Sequence, residues 1–428
     1  MPAQLPDLLR GPMTVDKRVL IKIYDHNVRG VEELITTGGA NVDGSTDLAM
    51  KPIALAAFEG QVFIMELLLA RGANVETSAP RDVFGVGGDV VFKHGWRPLH
   101  AAVFGGKAAA IDTLLKAGAN PNAADAMGDT PLMTACSNAA VDLEEAQVMV
   151  RALLEGGADP TLTQSMGSTA LHHAARSSAT DVMGLLLRSA PSAVNLADMF
   201  GCTALFYASA MGQESAVSLL VSAGASEREV LAKTGRCALL GAIEAGRESI
   251  FRLLLDEGLK AVGGMQAISV AVEAAIESRR ATFLRMLLAV PGGAGINEEF
   301  WAKKTLKRAR LPPLHSAAAV GSLATVHVLL AAGADEAAVS SDGKRARDRI
   351  GQRTRGDRDA AREAAIARML ERGPAFRARS WAWLARVMKS LSGEMSTSPK
   401  AEVPLVVRIY RPSGKPVLPT RFARYAMN

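Results

Sequence analysis

Apolar and polar residues along the chain repeat in a fixed order. Taking one apolar residue per turn of the pattern as an anchor, equivalent positions fall at Val19, Ile53, Leu99, Leu132, Leu171, Leu205, Leu239, Val272, Leu314 and Arg347. The base period is 33–34 residues, with insertions in three of the steps. Seven residues after several anchors stands a glycine: Gly60, Gly106, Gly212, Gly246 and Gly321. Paired leucines follow, as in Leu68-Leu69, Leu114-Leu115, Leu254-Leu255 and Leu329-Leu330, and then a further glycine (Gly72, Gly118, Gly258, Gly333). Recurrence at this length marks a solenoid, in which each unit buries its apolar face only against its neighbours.

Each unit reads as two antiparallel helices. Thr130, Thr169 and Thr203 stand where a hydroxyl can cap the first helix. Pro98, Pro131 and Pro313 follow at the first helical position, where a missing N–H costs nothing. Small pairs such as Ala56-Ala57 and Ala174-Ala175 let neighbouring helices approach closely, and the first glycine permits the turn into the second helix. The paired leucines form the core face of that second helix. The second glycine ends it and opens the loop to the next unit through Ala73-Asn74, Ala119-Asn120 or Ala158-Asp159.

These residues, with Arg97-Pro98-Leu99-His100-Ala101-Ala102, Thr169-Ala170-Leu171-His172-His173-Ala174-Ala175 and Pro313-Leu314-His315-Ser316-Ala317-Ala318, resemble the ankyrin repeat. The resemblance implies an all-α solenoid of about ten helix-turn-helix units over residues 17–373, following an N-terminal tail of residues 1–16. It also implies that His100, His172 and His315 bond within and between units. The units anchored at Val19, Val272 and Arg347 are degenerate and rest mainly on spacing. Insertions are expected near residues 77–92, 138–147 and 291–310. The first, with Phe84, Val90, Val91 and Phe92, suggests an enlarged loop or small β-ribbon.

Composition agrees with a folded chain: 49% of the 428 residues are hydrophobic and 21% charged. The net charge of +6 is unevenly spread. Residues 1–340 hold 29 Lys+Arg and 35 Asp+Glu, whereas residues 341–428 hold 20 and 8. After Gly373-Pro374 the repeat stops. Residues 374–428 read as a basic helix and tail, with Phe376, Trp381, Leu384, Val387, Met388 and Leu391 near helical spacing. Its basic residues Arg377, Arg379, Arg386 and Lys389, with Trp381, admit three readings: a cap on the last unit, an acidic or membrane-surface partner, or nucleic acid. Lys303, Lys304, Lys307, Arg308 and Arg310 form a basic run that resembles a nuclear-import signal. The cap is the favoured reading of the tail, and a solvated surface that of the run. No apolar stretch is long enough for a membrane span and no secretory leader is visible, so a cytoplasmic or nuclear protein is expected.

No catalytic constellation stands out. Phosphate-loop, zinc-protease and nucleophile-elbow patterns are missing, and the three cysteines offer neither paired metal ligands nor a disulfide framework. His173 beside His172 is a weak metal candidate, because neighbours on a helix diverge by about 100°. Cys136 occupies a small-residue position; a reactive thiol at Cys202 or Cys237 is the remaining enzymatic reading. No cofactor and no metal are expected. The favoured function is a monomeric, non-enzymatic scaffold or adaptor that binds protein partners, because ankyrin-like stacks bind through loop tips and the groove of the first helices. Five residues before successive anchors stand Met127, Met166 and Phe200, with Met199 beside the last. Polar residues are usual there in the family, so an apolar row suggests a contact strip. Trp96 lies near the same edge, and Phe58 and Phe104 are expected to line the groove.

Overall fold

A computed structural model describes residues 13–45, 48, 50–84, 90–138, 143–256, 264–290, 311–352, 360–371, 407–410 and 416–420. It divides into two compact units, Met1–Ala225 and Ser226–Asn428. The basic run at 303–310 and the segment with Arg377, Arg379, Trp381, Arg386 and Lys389 lie outside the described residues.

The first unit is built from helix pairs: α1 (Val15–Tyr24) and α2 (Val28–Thr36), α3 (Pro52–Glu59) and α4 (Val62–Ala70), then, after strands β1 (Val83–Phe84) and β2 (Val90–Phe92), α5 (Pro98–Phe104) and α6 (Ala108–Lys116). The pairs continue with α7 (Pro131–Asn138) and α8 (Leu143–Glu155), α9 (Ala170–Arg176) and α10 (Thr180–Ser189), and α11 (Ala204–Met211) and α12 (Glu214–Ser222). First helices contact first helices and second helices contact second helices, giving two layers. The anchors Val19, Ile53, Leu99, Leu132, Leu171 and Leu205 lie buried between these layers. Each such side chain contributes on the order of 1.5–3 kcal/mol by leaving water. Neighbouring first helices are close: a Cβ on Gly105, at the end of α5, would collide with the Phe58 carbonyl oxygen of α3.

The second unit opens with α13 (Arg228–Thr234). It continues with α14 (Ala238–Ala245) and α15 (Glu248–Asp256), α16 (Met265–Glu277) and α17 (Ala281–Ala289), and α18 (Pro313–Val320) and α19 (Leu323–Ala331). A 3-10 turn over Ala346–Arg349 and α20 (Ala360–Glu371) complete the stack, and β3 (Val407–Tyr410) pairs antiparallel with β4 (Pro416–Thr420). Leu239, Val272 and Leu314 are buried anchors. Arg347 is not: its side chain is exposed, and Ala346, one residue earlier, faces the core. The register shifts because a four-residue 3-10 turn replaces the first helix there, and three residues per turn reorient the side chains.

Capping follows the sequence. Thr130 and Thr203 hydroxyls accept from Met133 N at 3.3 Å and Phe206 N at 3.2 Å. Among the described residues, the one seven after an anchor takes a left-handed conformation whether or not it is glycine. Gly60 and Gly212 have φ of 74° and 82°, but His26, Ser178 and Arg279 fill the same place at 55°, 63° and 58°. The next residue often reaches back across the stack. Gln61 Nε2 donates to Ile23 O at 2.7 Å, and Gln213 Nε2 to Ser178 Oγ at 2.6 Å.

Three histidines each tie one repeat to the repeat that follows it. His100 Nε2 meets Asp129 O at 3.0 Å, His172 Nε2 meets Cys202 O at 3.1 Å, and His315 Nε2 meets Lys344 O at 3.0 Å. Carbonyl oxygens only accept, so Nε2 carries the proton in each ring. The Nδ1 atoms of His100 and His172 accept from Arg97 N and Thr169 N. His315 Nδ1 is buried without a partner. The residue three earlier is Pro312, which has no amide hydrogen. Burial holds all three rings below the usual imidazole range, His100 at about 4.

A second ladder joins the loops after the second helices. Asp43 Oδ1 accepts from Asn74 N at 2.8 Å, Glu76 Oε1 from Asn120 N at 2.7 Å, and Asn122 Oδ1 from Asp159 N at 2.8 Å.

Candidate functional site

The loops preceding α5, α7, α9 and α11 end in tight tips, and these tips bond to one another. Ala126 N donates to His94 O at 3.2 Å, Ser165 N to Met127 O at 2.9 Å, and Met199 N to Met166 O at 2.9 Å. Within each tip one polar side chain gathers the amides. Asp125 Oδ1 accepts from Met127 N and Asp129 N, and Asp198 Oδ1 from Phe200 N and Cys202 N. Gln164 plays that part for Met166 N. The second oxygen of each aspartate holds an aromatic donor: Trp96 Nε1 on Asp125 at 3.2 Å and Tyr207 OH on Asp198 at 2.6 Å. The tips are therefore fixed by backbone and buried polar groups, and the side chains at their ends are left outward. Met127, Met166, Met199 and Phe200 are 54%, 41%, 66% and 53% exposed.

Trp96 is a correction to the sequence reading. It is 2% exposed and sits inside the edge as a post between the inserted ribbon and the next tip. The insertion folds back through Ala79 N to Trp96 O and Gly95 N to Ala79 O, both 2.8 Å. That fold-back brings Phe92 against the indole at 5.5 Å. Phe58 and Phe104 belong to the same cluster. Their rings stack at 6.2 Å, Phe92 meets Phe58 edge-on at 5.6 Å, and Trp96 lies 5.0 Å from Phe104. Phe58 is half-buried, and Phe104 keeps part of its surface on the groove.

Further along the groove the wall turns polar. Ser137 Oγ lies 2.8 Å from His173 Nδ1, and His173 Nε2 lies 3.9 Å from Asp129 Oδ1. Both of those facing atoms are buried and lack a hydrogen-bond partner. Burial, then the positive charge of Arg176, lowers His173 to about 4, so the ring is neutral and forms no ion pair with Asp129. Burial raises the Asp129 carboxyl, while Lys93 Nζ sits 3.7 Å from its Oδ2. Arg176 lies over the Tyr207 ring at 5.5 Å. Sequence reasoning missed the two aspartates, because their role depends on aromatic donors 29 residues before Asp125 and nine after Asp198.

The family model for ankyrin repeats, in three copies, matches residues 99–198, 139–228 and 191–264. Residues 99–264 of the chain are ankyrin repeats. The matched stretches include the tips at Met127, Met166 and Phe200. Ankyrin repeats as a class bind proteins and are typically non-catalytic. No curated protein matches the chain. Among the described residues no cluster of His, Cys, Asp and Glu could hold a metal, and no helix is long and apolar enough to cross a membrane. Nor does this ankyrin-repeat chain present an activated thiol at the candidate cysteines: Cys202 is buried, and burial first, then Glu227, pushes the Cys237 thiol up to about 12.

Proposed function

We propose that this ankyrin-repeat protein is a non-enzymatic scaffold whose partner-binding edge is the tip row of the first unit. The observation that carries the reading is the outward row of Met127, Met166, Met199 and Phe200 on a rigid, internally bonded frame. Large apolar side chains left in water at one structural position, unit after unit, are the surface a partner removes from water. Methionine suits the role because its unbranched, polarizable chain adapts to the facing surface. Phe104 extends the strip into the groove.

The test is Met127→Ser, Met166→Ser and Phe200→Ser in one chain. Buried apolar residues contribute on the order of 1.5–3 kcal/mol each, less the costs of association. Capture of interacting proteins should therefore weaken at least tenfold, with helical content and melting nearly unchanged. A triple variant that unfolds would show that the row holds the fold. One that folds and binds as before would move the contact surface elsewhere.

A further inference from the structure

We infer that the tip row receives an amphipathic α-helix with apolar residues at heptad spacing and an acidic residue on the flank facing the groove. The inference rests on the tip row being the binding edge. Its first support is hydrogen-bond accounting. The amides of Met127, Met166 and Phe200 are engaged by Asp125, Gln164 and Asp198. The carbonyl of Met127 accepts from both Ser165 N and Ser165 Oγ, and that of Met166 accepts from Met199 N. The indole of Trp96 and hydroxyl of Tyr207 are committed to the same aspartates. An extended peptide laid on this edge would bury N–H and C=O groups against a surface with little left to offer them. A helix satisfies its own backbone and needs only side-chain contact.

Spacing agrees. Each tip is a hairpin closed by bonds such as Gln164 N to Ser168 O, and successive tips pair through one further bond. Two interstrand spacings give a repeat of about 9.5 Å. Two turns of helix advance about 10.5 Å, so positions a heptad apart fall near successive tips, within the reach of flexible methionines. A strand returns to one face about every 6.6 Å and does not match.

Charge supplies the acidic residue. The carboxylates of the tips face inward: Asp125 and Asp198 are buried under their hydrogen bonds, and Asp129 faces Lys93. Arg176 is exposed on the groove wall beside them. It meets only the Tyr207 ring among the described residues, with no carboxylate partner. A glutamate or aspartate on the groove side of the incoming helix would complete it.

Two displayed libraries test this against the full-length chain: one randomised on the face of a stable helical scaffold, the other of linear peptides. Binders are then rescreened against the Met127→Ser, Met166→Ser, Phe200→Ser chain and against Arg176→Glu, both checked for helical content. Row-dependent binders should come from the helical library, converge on apolar residues seven apart, and lose at least tenfold in affinity to R176E through one acidic position. Row-dependent binders that are linear and proline-rich or alternating would overturn the helix and leave the edge standing. Helical binders indifferent to Arg176→Glu would overturn the acidic flank. If no binder from either library depends on the row, the binding edge itself fails.

Discussion

His315 shows how one residue can be well placed and still half-satisfied. Its Nε2 makes the same bond to the following unit as those of His100 and His172, but its Nδ1 faces Pro312. Thr169, at the equivalent place, brings both an N–H and a hydroxyl within 3.1 Å of His172. Pro312→Thr should therefore supply the missing donor. A buried acceptor gaining its partner is worth about 1 kcal/mol, and the first turn of α18 gains a cap. The gain should appear as a higher melting temperature for the second unit and slower amide exchange in α18. Unchanged exchange would mean that water already serves Nδ1.

At the scale of elements, the pattern of anchors and glycines located the helix pairs because periodicity is a local property that burial imposes unit by unit. What it missed depends on contacts distant in sequence or on backbone geometry without a residue signature. Spacing alone puts Trp96 near the outer edge, because the partner that draws it inward, Asp125, lies 29 residues away across a fold-back. Spacing alone makes Arg347 an anchor, but a 3-10 turn moves the core position to Ala346. The row of Met127, Met166 and Phe200 was legible because its offset is constant; the aspartates that hold it were not. Among the described residues, the helix-to-helix turn also lacks its glycine in three places without losing its shape. His26 pays a left-handed penalty of about 1 kcal/mol that glycine would avoid. His26→Gly should stabilise the α1–α2 pair by about that amount. Ser178→Gly should gain less, since Ser178 Oγ receives Gln213. Amide exchange in α1 and α2, compared with that in α9 and α10, measures both; equal gains would contradict the ranking.

Across the whole molecule the buried histidines set an acid limit. Their folded pKa values lie below the ordinary 6.5, at about 4 for His100 and His173 and lowered for His172 and His315. The unfolded chain therefore takes up protons first as pH falls. The stability these rings contribute is complete above about pH 6.5 and is lost progressively towards pH 4. Melting temperature should fall steadily across that window. His100→Gln with His172→Gln should flatten the slope, even if the variant starts less stable. A wild-type melting temperature constant between pH 7 and pH 5 would mean that the rings are hydrated in solution.

The ladder between the tips has one more consequence. Its rungs are main-chain groups, and the hubs that steady them are Asp125, Gln164 and Asp198. The residues at the row itself supply only their backbone to that frame. Their identities are thus decoupled from the geometry that displays them. Selection or engineering can rewrite positions 127, 166 and 200 one at a time, altering which partner is recognised while the scaffold that presents them keeps its shape.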